Sequence, residues 1–183
     1  MSTLFVNNLN TASGSTITIP TGKQLVGTDA ASIYAPGMVV QMAERAGDNN
    51  VSRAASTSTS YVATNLQVTI TPKFNNSKII VRCVTTANTN QSTGSGEMIN
   101  YTLYRSIDGG SFSAVRAQTN GIGHVYNANA RTQTSITAEI VDTPNTTDEV
   151  RYKIYMKSVN GTSVEIPGTT TEAATFTATE IKV

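Results

Sequence analysis

Activating a Ser or Cys nucleophile takes a base, and this chain has one imidazole, His124, and one thiol, Cys83. His124 sits in Gly121-Ile122-Gly123-His124-Val125-Tyr126, with no carboxylate beside it, and reads as a loop or strand-edge residue. Zinc takes three or four ligands of this kind, which one His and one Cys cannot supply. Carboxylates remain, because a pair of them can cleave a glycosidic bond as acid and base. The candidates are Asp108, Glu139, Asp142, Asp148, Glu149, Glu165, Glu172 and Glu180. Asp142, Asp148 and Glu149 flank turns, while Glu139 and Glu165 read as outward strand positions. Trp, the usual platform for a sugar ring, is absent. The residues describe a noncatalytic chain with no cofactor and no metal.

Two further patterns give way to plainer explanations. Asp48-Asn49-Asn50 and Asp108-Gly109-Gly110 offer oxygens to Ca²⁺, but the spaced acidic ligands of a loop motif are missing and turn chemistry accounts for both. Gly121-Ile122-Gly123 lacks the strand-then-helix setting of a phosphate loop. Tyrosine is the residue best suited to recognition, since it joins rigid area to a polar tip. Tyr34, Tyr61 and Tyr126 lie nearest loops and are the candidates for receptor or partner contact.

The elements that would carry these residues are strands. Leu66, Val68 and Ile70 alternate with Gln67, Thr69 and Thr71, and Ile79, Val81 and Cys83 alternate with Lys78, Ile80 and Arg82. Ile99-Tyr101-Leu103, Ile136-Ala138-Ile140 and Tyr152-Ile154-Met156 repeat the period of two, and Phe176 to Val183 supplies a last strand. Asp108-Gly109-Gly110 is a tight hairpin signal, and Asn160-Gly161 predicts a hairpin into Val164-Glu165-Ile166. The pattern predicts seven to nine strands from residue 38 onward and an all-β fold, an antiparallel jelly-roll-like β-sandwich over residues 38–183. Residues 1–37 read differently, as short apolar pieces between Asn, Gly and Pro punctuation. Leu4, Phe5, Val6, Ile17 and Ile19 cannot form a core of their own there. They are expected to pack in an extended N-terminal arm that serves attachment or oligomerisation.

Composition narrows the class. Charged residues make up 14% of the chain, against about 25% in an average soluble domain. Thr, at 30 of 183 residues, fills the outward positions instead. Its β-branched side chain suits a pleated, half-solvated surface. The net charge is +1 and the basic residues are dispersed, so no nucleic-acid footprint is expected. The opening residues lack a signal peptide and no apolar run reaches membrane-spanning length, so synthesis in a reducing cytosol without membrane insertion is expected. A weakly charged β surface of this kind is common on extracellular and virion proteins.

Short motifs in a definite order add a resemblance. Ser15-Thr16-Ile17-Thr18-Ile19-Pro20-Thr21-Gly22 leads through Ile33-Tyr34-Ala35-Pro36-Gly37 to Val39-Val40-Gln41. Asn76-Ser77-Lys78-Ile79-Ile80-Val81, Tyr101-Thr102-Leu103-Tyr104-Arg105, Val141-Asp142-Thr143-Pro144 and Tyr152-Lys153-Ile154-Tyr155 follow. Together they resemble virion structural proteins of tailed bacteriophages, of the marine or cyanophage-like kind. The resemblance implies a trimeric jelly-roll knob, a tail fibre or tip or a capsid-decoration β domain, located in the virion after synthesis in the host cytoplasm. A short tail fibre or tail-tip protein attaching to a host surface glycan or protein is the leading expectation. The arm would join other virion proteins, and the assembly would be a homotrimer. A capsid decoration (cement) protein stabilising the shell is the alternative, and a polysaccharide depolymerase ranks below both.

Overall fold

The computed structural model describes residues 19–24, 26, 33–45, 51–90, 96–128, 131–168 and 173–183. The chain forms two units, Met1–Ile33 and Tyr34–Val183. In the first, the Lys23 amide donates to the Pro20 carbonyl at 3.0 Å, closing a turn with Gly22 at φ 79°. Ile19 is 43% exposed. Leu4, Phe5, Val6 and Ile17 lie outside the described residues.

The second unit is all β. Its described residues form β1 (Val39–Glu44), β2 (Ala54–Ser56), β3 (Val62–Ile70), β4 (Lys78–Thr89), β5 (Glu97–Ile107), β6 (Ser113–Ala114), β7 (Gly123–Asn127), β8 (Thr132–Asp142), β9 (Val150–Ser158), β10 (Val164–Ile166) and β11 (Thr175–Ile181). Every pairing is antiparallel. One sheet runs β1-β11-β4-β8, and β10 and β2 continue along the far half of β4. The other runs β3-β9-β5, with β6 and β7 sharing the outer edge of β5. Eight principal strands in these two orders make a jelly roll, the sandwich that the alternation predicts.

The alternation works because opposite pleats meet different solvents. Leu66, Val68 and Ile70 of β3, Ile79, Val81 and Cys83 of β4, and Tyr152, Ile154 and Met156 of β9 all face inward and are buried. Leu103 and Phe176 complete the contact between the sheets. Each such side chain contributes roughly 1.5 to 3 kcal/mol by leaving water. Charge enters this layer only when satisfied. Asp142 accepts from Arg105 Nη1 through both oxygens at 2.8 Å, and Tyr152 donates its hydroxyl to Oδ2 at 2.8 Å. The three residues bridge the two sheets.

Two buried glutamates grip the turns at opposite ends of the sandwich. Glu180 accepts from the amides of Lys73 and Phe74, from Ser77 Oγ at 2.6 Å and from Gln41 Nε2 at 2.7 Å, which fixes the turn between β3 and β4. Glu97 accepts from the amides of Val159, Asn160 and Thr162 and from the Thr162 hydroxyl. Burial pushes both carboxyls up, and the hydrogen bonds bring both below the ordinary glutamate value on balance.

Glu97 also explains a departure from expectation. Asn160-Gly161 does make a turn, with Gly161 at φ 80°, but β9 and β10 do not pair as a hairpin. The carboxylate draws the chain out of the β5–β9 ladder, and β10 joins β2 and β4 in the opposite sheet. Glu165 likewise is not an outward residue. It is buried, where Arg53 Nη1 approaches Oε1 at 3.1 Å and Asn88 Nδ2 donates to Oε2 at 2.6 Å. A three-residue strand between two neighbours has too few positions for alternation to reveal its orientation.

Candidate functional site

A groove of about 620 Å³ opens on the outer face of the β3-β9-β5 sheet. Register sets its floor. Thr102 lies opposite Tyr155, and Tyr104 lies opposite both Lys153 and Ala114, all on outward pleats. The chain between β6 and β7 stays hydrogen-bonded to β5 at both ends, Val115 N to Leu103 O at 3.0 Å and Ile122 N to Tyr101 O at 2.9 Å. The intervening segment bulges outward and places Arg116, Gln118 and Thr119 on one wall. Thr59, Ser60 and Tyr61 form the other.

Aromatic rings run along this face. Tyr61 and Tyr104 are tilted at 6.2 Å, Tyr104 stacks on Tyr155, and Phe112 meets Tyr155 at 6.1 Å. Lys157 Nζ lies 5.0 Å from the Tyr61 centroid and Lys153 Nζ 5.2 Å from that of Phe112, both within cation–π range. Burial, and then proximity to Tyr104, pushes the Tyr61 phenol up to about 12, so its hydroxyl keeps its proton as a donor. Arg116 has no carboxylate partner among the described residues, and none of the residues lining the groove is Asp or Glu.

The floor has hydrogen-bonding groups without protein partners. Thr102 is 2% exposed and its Oγ1 has no partner, and the Tyr61 hydroxyl, also shielded from solvent, has none. Asn100, two residues along the same face of β5, is 0% exposed with both Oδ1 and Nδ2 unpaired. Buried polar groups are nearly always satisfied, and of these three residues Thr102 and Tyr61 line the groove.

Glycines permit the approach. Gly121 has φ 71°, and a Cβ there would collide with the Tyr101 carbonyl and come within 2.7 Å of the Tyr61 hydroxyl. A Cβ on Gly123 would run into the Tyr101 ring. Gly121-Ile122-Gly123 is therefore a packing device for two tyrosines, not a phosphate loop.

Of the tyrosines expected at the surface, the groove takes Tyr61 alone. Tyr34 packs edge-on against Phe74 at 5.1 Å, with Lys182 Nζ 4.0 Å from the Phe74 ring on the β3–β4 turn. Tyr126 is 59% exposed on the outward side of β7, opposite Met98. His124 is exposed opposite Asn100. Cys83 is buried, and desolvation pushes its thiol up to about 12 despite the countering charge of Arg45. Among the described residues no group of three His, Cys, Asp or Glu side chains could hold a metal ion.

Thr102, Tyr104 and Arg116 did not stand out as recognition residues in the chain. The legible signal is that Tyr104, Tyr155 and Lys157 occupy outward strand positions, where an isolated β surface would carry small polar residues. Arg116 gives no comparable signal, because a bulge between two short strands leaves no periodic trace.

No protein-family model and no curated protein matches the chain. A solved structure described as that of the infectious bursal disease virus Gx strain is similar at 11% identity with a TM-score of 0.39. The likeness covers 87% of this chain and 46% of the viral chain, so this chain spans less than half the length of that one.

Proposed function

We propose that this chain is a noncatalytic virion structural protein, a short tail fibre or tail-tip protein whose jelly roll attaches to a host surface. The groove carries this reading: it is cationic, hydroxyl-rich and aromatic, and it has no carboxylate to serve hydrolysis among its lining residues. That equips it for binding and speaks against the depolymerase reading. The motif order resembling tailed-phage virion proteins supports the location. In the same reading, residues 1–37 join other virion proteins and the assembly is a homotrimer, which presents three identical grooves and gains avidity without new contacts.

Antibody labelling of intact particles tests the location. Tail labelling is expected, and shell labelling would overturn it. Light scattering should give three times 19.3 kDa, and removing residues 1–37 should weaken the trimer or its attachment while the sandwich stays folded. A monomer at micromolar concentration would remove the trimer.

One observation favours capsid decoration as a second reading. Met42, Thr179, Ile80 and Val141 lie side by side across the outer face of the other sheet, with Met42 65% and Val141 47% exposed. A row that is apolar but for Thr179 suits coverage by a neighbouring shell subunit.

A further inference from the structure

We infer that the groove takes an acidic saccharide, its carboxylate held at Arg116 and Lys157 and its hydroxyls at Thr102 and Tyr61. This rests on the attachment reading and names its ligand class. The cationic side chains define the charge of the ligand. Arg116 and Lys157 both line the groove, no acidic residue there opposes them, and the whole chain has a net charge of only +1. The groove lining is therefore cationic although the chain as a whole is close to neutral. A neutral sugar would leave both cations unanswered.

The unpaired groups define the rest. Of the groove's lining residues, Thr102 can donate and accept through Oγ1, and the protonated Tyr61 phenol can donate. Vicinal sugar hydroxyls also donate and accept, so they suit this pair. An acidic peptide offers carboxylates but no comparable array of neighbouring hydroxyls. The Tyr104 ring, backed by Tyr155 and lining the groove, gives a rigid apolar surface for the C–H face of a pyranose. Charge, hydroxyl pattern and apolar face together describe a uronic-acid-like sugar.

The test is calorimetric and NMR titration of the full chain with tetragalacturonate. Its fully methyl-esterified counterpart keeps the rings without the charge, and a tetraglutamate peptide keeps the charge without the rings. Tetragalacturonate should bind and shift the resonances of Thr102 and Tyr104, with the ester and the peptide each at least about tenfold weaker, as loss of a charge-assisted contact implies. Arg116→Gln, on the bulging segment, and the near-isosteric Thr102→Val should each weaken binding by a similar factor while thermal unfolding stays cooperative. Equal binding of the ester would overturn the acidic assignment, and equal binding of the peptide, or full competition by inorganic phosphate, would overturn the saccharide. If the wild-type chain adsorbs to cells, Thr102→Val and Arg116→Gln impair adsorption and tetragalacturonate does not bind, the ligand class fails and the attachment reading stands. If adsorption ignores both substitutions, the groove itself is not the attachment site and both fail.

Discussion

The rings of Tyr104 and Tyr155 lie face to face, centroids 3.9 Å apart and planes 17° from parallel. They come from neighbouring strands one diagonal apart, Tyr155 opposite Thr102 and Tyr104 opposite Lys153. Sheet twist brings such diagonals together on one face. Tyr104 thus has one face covered and a fixed orientation at the groove. Tyr155→Ala should cost about 1 kcal/mol in urea unfolding and should also weaken saccharide binding, although Tyr155 does not line the groove. Unchanged binding would show that Tyr104 holds its orientation without the stack.

Glu97 satisfies three backbone amides and a hydroxyl of the turn that carries the chain from one sheet to the other. Glu97→Ala leaves these donors without an acceptor, and each orphaned group costs about 1 to 3 kcal/mol. Denaturant unfolding should show a loss of at least about 3 kcal/mol, against a smaller loss for Thr162→Val. Equal losses would mean that the amides find other acceptors.

Acid should weaken the fold through the same carboxylates. Glu97 and Glu180 both have folded values below the ordinary 4.5, so the unfolded chain takes up their protons first as pH falls. Their stabilisation is complete well above pH 4.5 and declines as pH drops below it through the lower folded values. Urea midpoints measured from pH 7 to pH 3 should fall in that window. The slope should be shallower in Glu180→Gln, and an unchanged slope would assign the acid sensitivity to other groups.

The Cys83 thiol, buried and raised to about 12, should resist iodoacetamide in the native protein at pH 8 and react only with denaturant present. Cys83→Ser puts a hydroxyl between the buried Phe176 and Ala138, its partners on β11 and β8, and should cost about 1 to 3 kcal/mol. Rapid native labelling would place the thiol at the surface.

Gly121→Ala should strain the backbone at φ 71° and push the Tyr61 hydroxyl away. The expected result is a cost of about 1 to 3 kcal/mol from the strained conformation together with weakened saccharide binding. A fully stable variant with intact binding would mean that neither Tyr61 nor the bulge depends on the close approach.

Alternation over Leu66–Ile70, Ile79–Cys83 and Tyr152–Met156 made the sandwich legible, because every second side chain there had to leave water. The same rule failed at Glu165, since three residues of β10 cannot display a period, and at Asn160-Gly161, where turn chemistry says that the chain bends but not which sheet receives it. That choice was made by Glu97, some sixty positions upstream. The groove was legible in one member, Tyr61. Thr102 and Tyr104 read as ordinary strand residues, and their meaning comes from a strand, a loop and a bulge that only folding brings together.

The two cations at the rim have a kinetic consequence. Although the chain as a whole carries only +1, a groove lined by one sign of charge focuses the field at its mouth and orients an anionic surface over the last Debye length, about 8 Å at physiological salt. The salt dependence of capture should therefore appear mainly in the association rate, and Arg116→Gln should reduce it.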